Sequence, residues 1–332
     1  MKKIQKIYSV ILLCCISTTI MANSVEPKYK WSVSTGWLHI MPQGKYGNTS
    51  INTAVDPDYE YDLLKNIGIT SKMEGLSNWT ENAGLKPKDG DTLGLMINYY
   101  VNDNISLQMI GGVPPKIDIK GKGQINAKPI ALNPMIDAAI IDILGPDRNL
   151  FITDLGSRSK LAEATAWTPA ATAQYHFGTT GINKFRPYVG AGIMYATFTG
   201  LKIDKGLEEE LITAGHRIGH ITNIVRDDDP MKDINGNLLD AIVDPIGVRI
   251  NSPVDPKVKV KATDALGAVF TLGANYDISN RIYITGSLTY VDLSNKSKIT
   301  VYDQISGRQL VSSSTKINLN PLISYIGIGY KF

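Results

Sequence analysis

The segment KINLNPLISYIGIGYKF, residues 316–332, carries the clearest fold signal in the chain. Counted back from Phe332, every second residue is apolar, in the order Tyr330, Ile328 and Ile326. Because successive side chains of a β-strand point to opposite faces, this strand has one apolar face that ends on an aromatic residue. In a transmembrane barrel, lipid covers such a face and aromatic residues form girdles at both interfaces. An amphipathic edge strand of a soluble protein is the competing interpretation.

The start of the chain is typical of a signal peptide. Its basic part contains Lys2, Lys3 and Lys6, its apolar part covers residues 8–20, and the expected cleavage follows Ala22. The apolar run is shorter than the roughly 20 residues that a membrane-spanning helix needs. We therefore predict a cleaved leader at residues 1–22 and an outer-membrane domain at residues 23–332.

Removal of the leader changes what the composition implies. Both cysteines lie in it, so the remaining chain has no disulfide, no thiol catalysis and no cysteine-based metal site. The leader also holds three lysines and no acids, which lowers Lys+Arg from 34 to 31, equal to the 31 Asp+Glu. Balanced charge gives no support for nucleic-acid binding. No later segment approaches about 18 consecutive apolar residues, which excludes a helical membrane protein.

Eight stretches have the period-two alternation of strands. They are residues 29–39, the two arms of 91–112, 164–177, 185–198, the two arms of 265–293, and the closing segment. Short turns follow the second, fourth and sixth strands, whereas long loops lie at about 42–90, 119–162, 200–262 and 296–313. This alternation predicts an all-β fold, an eight-stranded antiparallel up-and-down transmembrane β-barrel with long extracellular loops. Short helices are expected near residues 59–65 and 130–146.

Four passages resemble the outer membrane protein W (OmpW) family. They are Asp103-Asn104-Ile105, KFRPYVGAGIMYATF at 184–198, ANYDISNRIYITGSLTYVDL at 274–293, and NPLISYIGIGYKF at 320–332. The resemblance implies a multi-pass barrel in the outer membrane of a Gram-negative bacterium, with an apolar interior associated with passage of small hydrophobic molecules. The chain departs from the family in the length of its first three long loops, so no function carried by loops is transferred.

Candidate lumen residues follow from the strand faces. If Val101 and Ile105 face lipid, the residues of opposite parity face the lumen, and the bulky ones are Met96, Tyr100, Tyr188, Met194 and Tyr325. An apolar lumen suits passive passage of hydrophobic solutes without a cofactor. The same side chains could instead simply fill a narrow barrel. A further alternative is a surface protein that transports nothing, in which long loops bind a partner and the barrel is an anchor.

The expected partners follow from the same interpretation. They are outer-membrane lipid, small hydrophobic solutes, and the barrel-assembly machinery, for which Tyr330 and Phe332 are the expected C-terminal signal.

The sequence contains only weak signals of a metal-binding or catalytic site. His216 and His220 have the i, i+4 spacing that places two imidazoles on one side of a helix, but no strong third ligand stands beside them. A GxSxG motif is absent, and His176 falls near a short turn at the periplasmic end, away from the outer rim. We therefore predict no bound metal and no enzymatic activity.

Overall fold

A computed structural model describes residues 26–64, 69–222, 249 and 252–332 of the 332-residue chain. The predicted leader, residues 1–22, lies outside the described residues. In chain order the strands are β1 (Trp31–Pro42), β2 (Thr49–Thr53), β3 (Tyr61–Leu64), β4 (Ile69–Ser71), β5 (Met73–Glu74), β6 (Asn78–Glu81), β7 (Gly84–Pro87), β8 (Gly90–Tyr100), β9 (Ile105–Gly112), β10 (Lys116–Lys122), β11 (Gln124–Ala127), β12 (Ile130–Ala131), β13 (Leu150–Asp154), β14 (Ala162–Trp167), β15 (Ala170–His176), β16 (Phe185–Ile203), β17 (Pro256–Ala262), β18 (Ala265–Asp277), β19 (Ile282–Asp292), β20 (Ser294–Asp303), β21 (Gln309–Asn318) and β22 (Pro321–Lys331). The helices are α1 (Pro134–Leu144) and α2 (Lys205–Thr222).

Eight strands form a closed antiparallel barrel. Their spatial order is β15, β9, β8, β1, β22, β19, β18 and β16, and the pairing of β15 with β16 closes the ring. Each strand neighbours the next barrel strand along the chain, so the connectivity is up-and-down. The predicted fold class is confirmed. Closure matters because lipid offers no hydrogen-bond partner to an open sheet edge.

The closing strand β22 has the predicted faces. Ile326 and Ile328 are 57% and 54% exposed on the outside, where lipid covers them, whereas Tyr325 and Lys331 are 4% and 5% exposed and face inward. Tyr330 and Phe332 lie outside near the periplasmic rim, where they stack with ring centroids 6.5 Å apart. Their part in barrel assembly stays a prediction.

The long connections fold into a second layer of structure beyond the barrel mouth, which we call the cap. Its main sheet has the order β17, β20, β21, β2 and β6. The helix α2 contacts three strands of this sheet, β17, β20 and β21, and also contacts β13. Fully buried apolar side chains fill the space between these elements, including Leu76, Ile140 and Leu310. The cap therefore has a hydrophobic core that is continuous with the barrel mouth.

Two local predictions are corrected by the structure, and one is confirmed. Residues 59–64 do not form a helix, because Tyr61 is buried in the cap core and β3 pairs with β4, and Lys65 lies outside the described residues. The fourth predicted strand, 164–177, is two strands, since Pro169 lacks an N–H and separates β14 from β15. The helix predicted within 130–146 is α1, whose N-cap Asn133 accepts a hydrogen bond from the Met135 N–H at 3.0 Å.

No helix among the described residues is long and apolar enough to cross a membrane.

Stability of α2 is expected to depend on pH through His216. Burial, followed by the charges of Arg249 and His220, lowers the pKa of His216 to about 4 from its ordinary value of 6.5. Between these pH values the unfolded segment binds more protons than the folded one. The stabilisation is therefore complete above pH 6.5 and is lost as the pH falls to about 4.

Hydrogen exchange of residues 205–222, corrected for intrinsic rates, checks this prediction at about pH 7.5 and about pH 5. Protection is expected to fall at the lower pH in the native protein and in the His39→Gln control. In His216→Gln the pH response is expected to disappear. Equal pH responses in His216→Gln and the native protein would show that another group controls the transition.

Candidate functional site

Polar side chains fill the periplasmic half of the barrel interior. The buried ones include Ser32, Ser34, Asn98, Ser106, Gln108, Gln174, His176, Arg186, Asn275 and Lys331. Hydrogen bonds join them across strands: Gln174 Nε2 donates to Gln108 Oε1 at 2.8 Å, and the Tyr283 hydroxyl donates to Ser32 Oγ at 3.0 Å. We call this set the polar plug. Because an eight-stranded barrel is just wide enough for side chains, the plug closes the periplasmic end.

Two buried ion pairs fix the base of the plug. Lys331 Nζ donates to both carboxylate oxygens of Asp277, at 2.6 and 2.7 Å. Arg186 lies 3.6 Å from the Asp103 carboxylate and donates to the Asp103 backbone oxygen at 2.5 Å and to the Gly178 oxygen at 3.2 Å. These contacts connect the barrel wall to its periplasmic turns.

An apolar cavity of about 230 Å³ lies above the plug, in the outer half of the barrel. Leu38, Ile110 and Ile323 line its wall, and Met96, Met194 and Tyr325 also border it. The Tyr325 hydroxyl points into the plug, where it donates to Ser34 Oγ at 3.2 Å. The Tyr325 ring borders the cavity. The lumen is thus apolar in its outer half and polar in its periplasmic half.

The barrel wall is interrupted beside this cavity. β9 and β15 pair up to Ile110, which stands opposite Ala170, and the ladder stops there. It resumes where the Ala166 N–H donates to the Pro115 oxygen at 3.0 Å. Between these points lie residues 111–114 on one side and 167–169 on the other, and Pro114 and Pro169 have no N–H to donate. We call this interruption the wall gap.

The wall gap leads from the cavity toward the lipid-facing surface. Residues of both its edges line the cavity. On the outer surface Val113 is 58% exposed and Trp167 is 50% exposed. A narrower apolar space of about 40 Å³ continues from the cavity toward the cap, bounded there by Leu293 and Leu319. The cavity therefore lies between the wall gap and the core of the cap.

The predicted lumen residues separate into two groups. All five are buried, at 6% exposure or less. Met96, Met194 and Tyr325 border the cavity. Tyr100 and Tyr188 lie lower, with ring centroids 5.5 and 5.1 Å from the His176 ring, so they belong to the polar plug. The expectation of an apolar lumen is corrected for this half, because strand parity identifies the inward face but not the depth along the barrel.

Sequence reasoning missed the wall gap and most of the cavity lining. Leu38, Ile110 and Ile323 could have been found by extending the parity argument to every strand. The wall gap had a signal of its own in the stretches GGVPP at 111–115 and TP at 168–169. Prolines and glycines at the end of a strand weaken its ladder, and here they fall on two strands that are neighbours in the barrel.

The structure shows where the residues considered for catalysis and for metal binding lie. Ser106 Oγ lies 2.9 Å from His176 Nε2, but His176 Nδ1 has no hydrogen-bond partner among the described residues, so none of them supplies the acid that orients the histidine of a catalytic triad. Both residues are buried in the polar plug. The described residues contain no cluster of three or more His, Cys, Asp or Glu with metal-binding geometry. The expectation that the protein is not an enzyme stays a prediction.

Comparisons with known proteins identify the family. A family model described as the OmpW family matches residues 144–214 and 253–332. Outer membrane protein W of Vibrio cholerae (serotype O1, strain ATCC 39315 / El Tor Inaba N16961) is 22% identical over 276 residues, which cover 82% of this chain and 89% of that protein. The chain belongs to the OmpW family. The resemblance inferred from the four sequence passages is confirmed.

The solved structures agree with the barrel of this OmpW family member. The crystal structure of the outer membrane protein OprG from Pseudomonas aeruginosa matches with a TM-score of 0.54 and 15% identity, over 93% of this chain and 98% of that one. At this identity the match supports the fold alone. Family and fold together place the protein in the outer membrane of a Gram-negative bacterium, as predicted.

Proposed function

We propose that this OmpW family member allows passive passage of small hydrophobic molecules across the outer part of the outer membrane. The observation that carries the proposal is the apolar cavity of about 230 Å³ with its wall gap. A cavity of this kind solvates apolar molecules better than water does, because apolar surface leaves water on entry. No cofactor is required, since a concentration gradient drives the movement.

The wall gap is the exit that the geometry favours. A solute that moved on toward the periplasm would have to displace the buried polar plug, including the Lys331–Asp277 pair. Breaking buried ion pairs costs several kcal/mol, whereas the wall gap is bordered by apolar side chains and by residues already exposed on the lipid side. Movement from the cavity into the outer leaflet meets no comparable barrier.

The test uses purified protein in lipid vesicles with a fluorescent hydrophobic solute outside. Flux above that of empty vesicles is expected for the hydrophobic solute, and no increase is expected for a polar solute of similar size. If the wall gap is the exit, the fluorescence of the solute is expected to appear in the bilayer before it appears in the interior of the vesicle. Flux equal to that of empty vesicles would refute the proposal and leave the barrel as an anchor for the cap.

A further inference from the structure

The outer surface of the main cap sheet is rich in lysine. On β17, Lys257, Lys259 and Lys261 are all exposed, because alternate residues of a strand share a face. The register places Lys261 opposite Lys298 of β20, and it places Lys296 of β20 opposite Lys316 of β21. Six lysines therefore stand on one face of three adjacent strands. We call this surface the lysine face.

Within the described residues, no carboxylate lies among the six lysines of this face. Its other outward residues are hydroxyl or amide side chains, including Ser294, Thr300, Tyr302, Ser50, Asn52, Asn78 and Thr80. None of the six ammonium groups makes an ion pair within the described part of the chain. Carboxylates flank the lysines at the edges of the face: the exposed Asp255 lies two residues before Lys257, and Asp292 lies four residues before Lys296. The face is thus a continuous positive surface on a protein with little net charge.

Two pairs of lysines that stand directly opposite each other destabilise the folded protein when no ligand is bound. Side chains opposite each other on antiparallel strands have Cβ atoms about 4.5–5.5 Å apart, and like charges there destabilise the sheet. Lys261 with Lys298 and Lys296 with Lys316 are such pairs. A bound polyanion removes the repulsion and adds attraction. This local destabilisation therefore indicates an anionic ligand more strongly than a single exposed lysine would.

The lysine face continues the lipid-facing surface of the barrel. Along β19 and β20 the exposed residues run from Leu288 through Tyr290 to Lys296 and Lys298 on the same side. Lys296 is six residues beyond Tyr290, about 20 Å along the strand and about 15 Å along the membrane normal at the usual barrel tilt. With Tyr290 in the outer aromatic girdle, this height is above the roughly 5–8 Å of head group that borders the hydrocarbon of an ordinary bilayer. Lysine side chains that extend back toward the membrane reach the phosphates and sugars at the outer side of that layer.

We propose that the lysine face binds the phosphorylated head groups of the glycolipid that forms the outer leaflet, lipid A with its attached core sugars. Ammonium groups bind phosphate as point charges, and three adjacent strands spaced about 4.8 Å apart present a two-dimensional array of them. The position next to the lipid band selects a membrane lipid over a soluble polyanion. The site is independent of the cavity and holds the cap against the membrane surface.

The experiment measures binding of bisphosphorylated lipid A to the purified protein in detergent micelles or nanodiscs, by native mass spectrometry. The variant combines Lys261→Gln, Lys296→Gln and Lys298→Gln. Its affinity is expected to fall roughly 100-fold, from the usual contribution of each lysine near an anionic lipid surface. Affinity of the native protein is expected to decrease as salt is raised, with a smaller salt dependence in the variant.

A charge-matched control separates this site from general electrostatics. Lys120→Gln, Lys128→Gln and Lys205→Gln remove three exposed lysines from other parts of the cap. The control is expected to bind lipid A within about twofold of the native protein. Equal binding by the two triple variants, or equal binding of lipid A without phosphates, would overturn the proposal. Binding of a heparin oligosaccharide through the same lysines without binding of lipid A would overturn the assignment to a lipid.

Discussion

Met194→Trp is expected to abolish the flux of hydrophobic solutes through the barrel. Met194 is 3% exposed on β16 and borders both apolar spaces, so a larger side chain at this position fills the route between them. Well-packed interiors leave no room for a solute, and the flux is expected to fall about tenfold or more, to the level of empty vesicles. The measurement is uptake of the fluorescent hydrophobic solute into protein-containing vesicles.

Met109→Trp is the matched control for this substitution. Met109 is 68% exposed on the lipid-facing side of β9, so the same change there adds apolar surface to the bilayer and leaves the cavity open. Native flux is expected. Heat-modifiable migration of both variants on gels checks that each barrel is folded. Native flux in folded Met194→Trp would mean that solutes do not use the cavity.

The sequence predicts the barrel wall well, because the relevant pattern is local. Period-two alternation assigns Ile326 and Ile328 to lipid and Tyr325 to the interior, as the structure has them. The same alternation places Met96 and Met194 on the inner face. It carries no information on height, so it does not separate Tyr100 and Tyr188, which face inward beside His176 in the polar plug, from the inward residues that border the cavity.

The cap could not be predicted in this way. Its sheet pairs β2 with β21, and Ile51 stands opposite Ser313, more than 250 residues away along the chain. Short strands with few alternating residues are compatible with many partners, so the register is set by the common core and not by local pattern. The lysine face depends on the same long-range pairing. Lys261 and Lys298 become neighbours only when β17 meets β20.

Arg186→Met is expected to destabilise the barrel by about 3–5 kcal/mol, the usual cost of leaving a buried charge without its partner. The Arg186 and Asp103 side chains are 5% and 7% exposed, and Arg186 also donates to Thr180 Oγ1 and to the Asp103 and Gly178 backbone oxygens. Methionine retains much of the aliphatic volume but none of these donors. Urea unfolding in lipid vesicles, followed by tryptophan fluorescence, measures the change in the free energy of unfolding.

Two further variants identify the cause of that loss. Lys184→Met removes an exposed cation two residues away and is expected to change the free energy of unfolding by less than about 0.5 kcal/mol. Arg186→Met combined with Asp103→Asn is expected to recover part of the loss, because no unpaired carboxylate then remains buried. If the double variant is as unstable as Arg186→Met alone, the hydrogen bonds to the turn oxygens, and not the ion pair, hold the base of the polar plug.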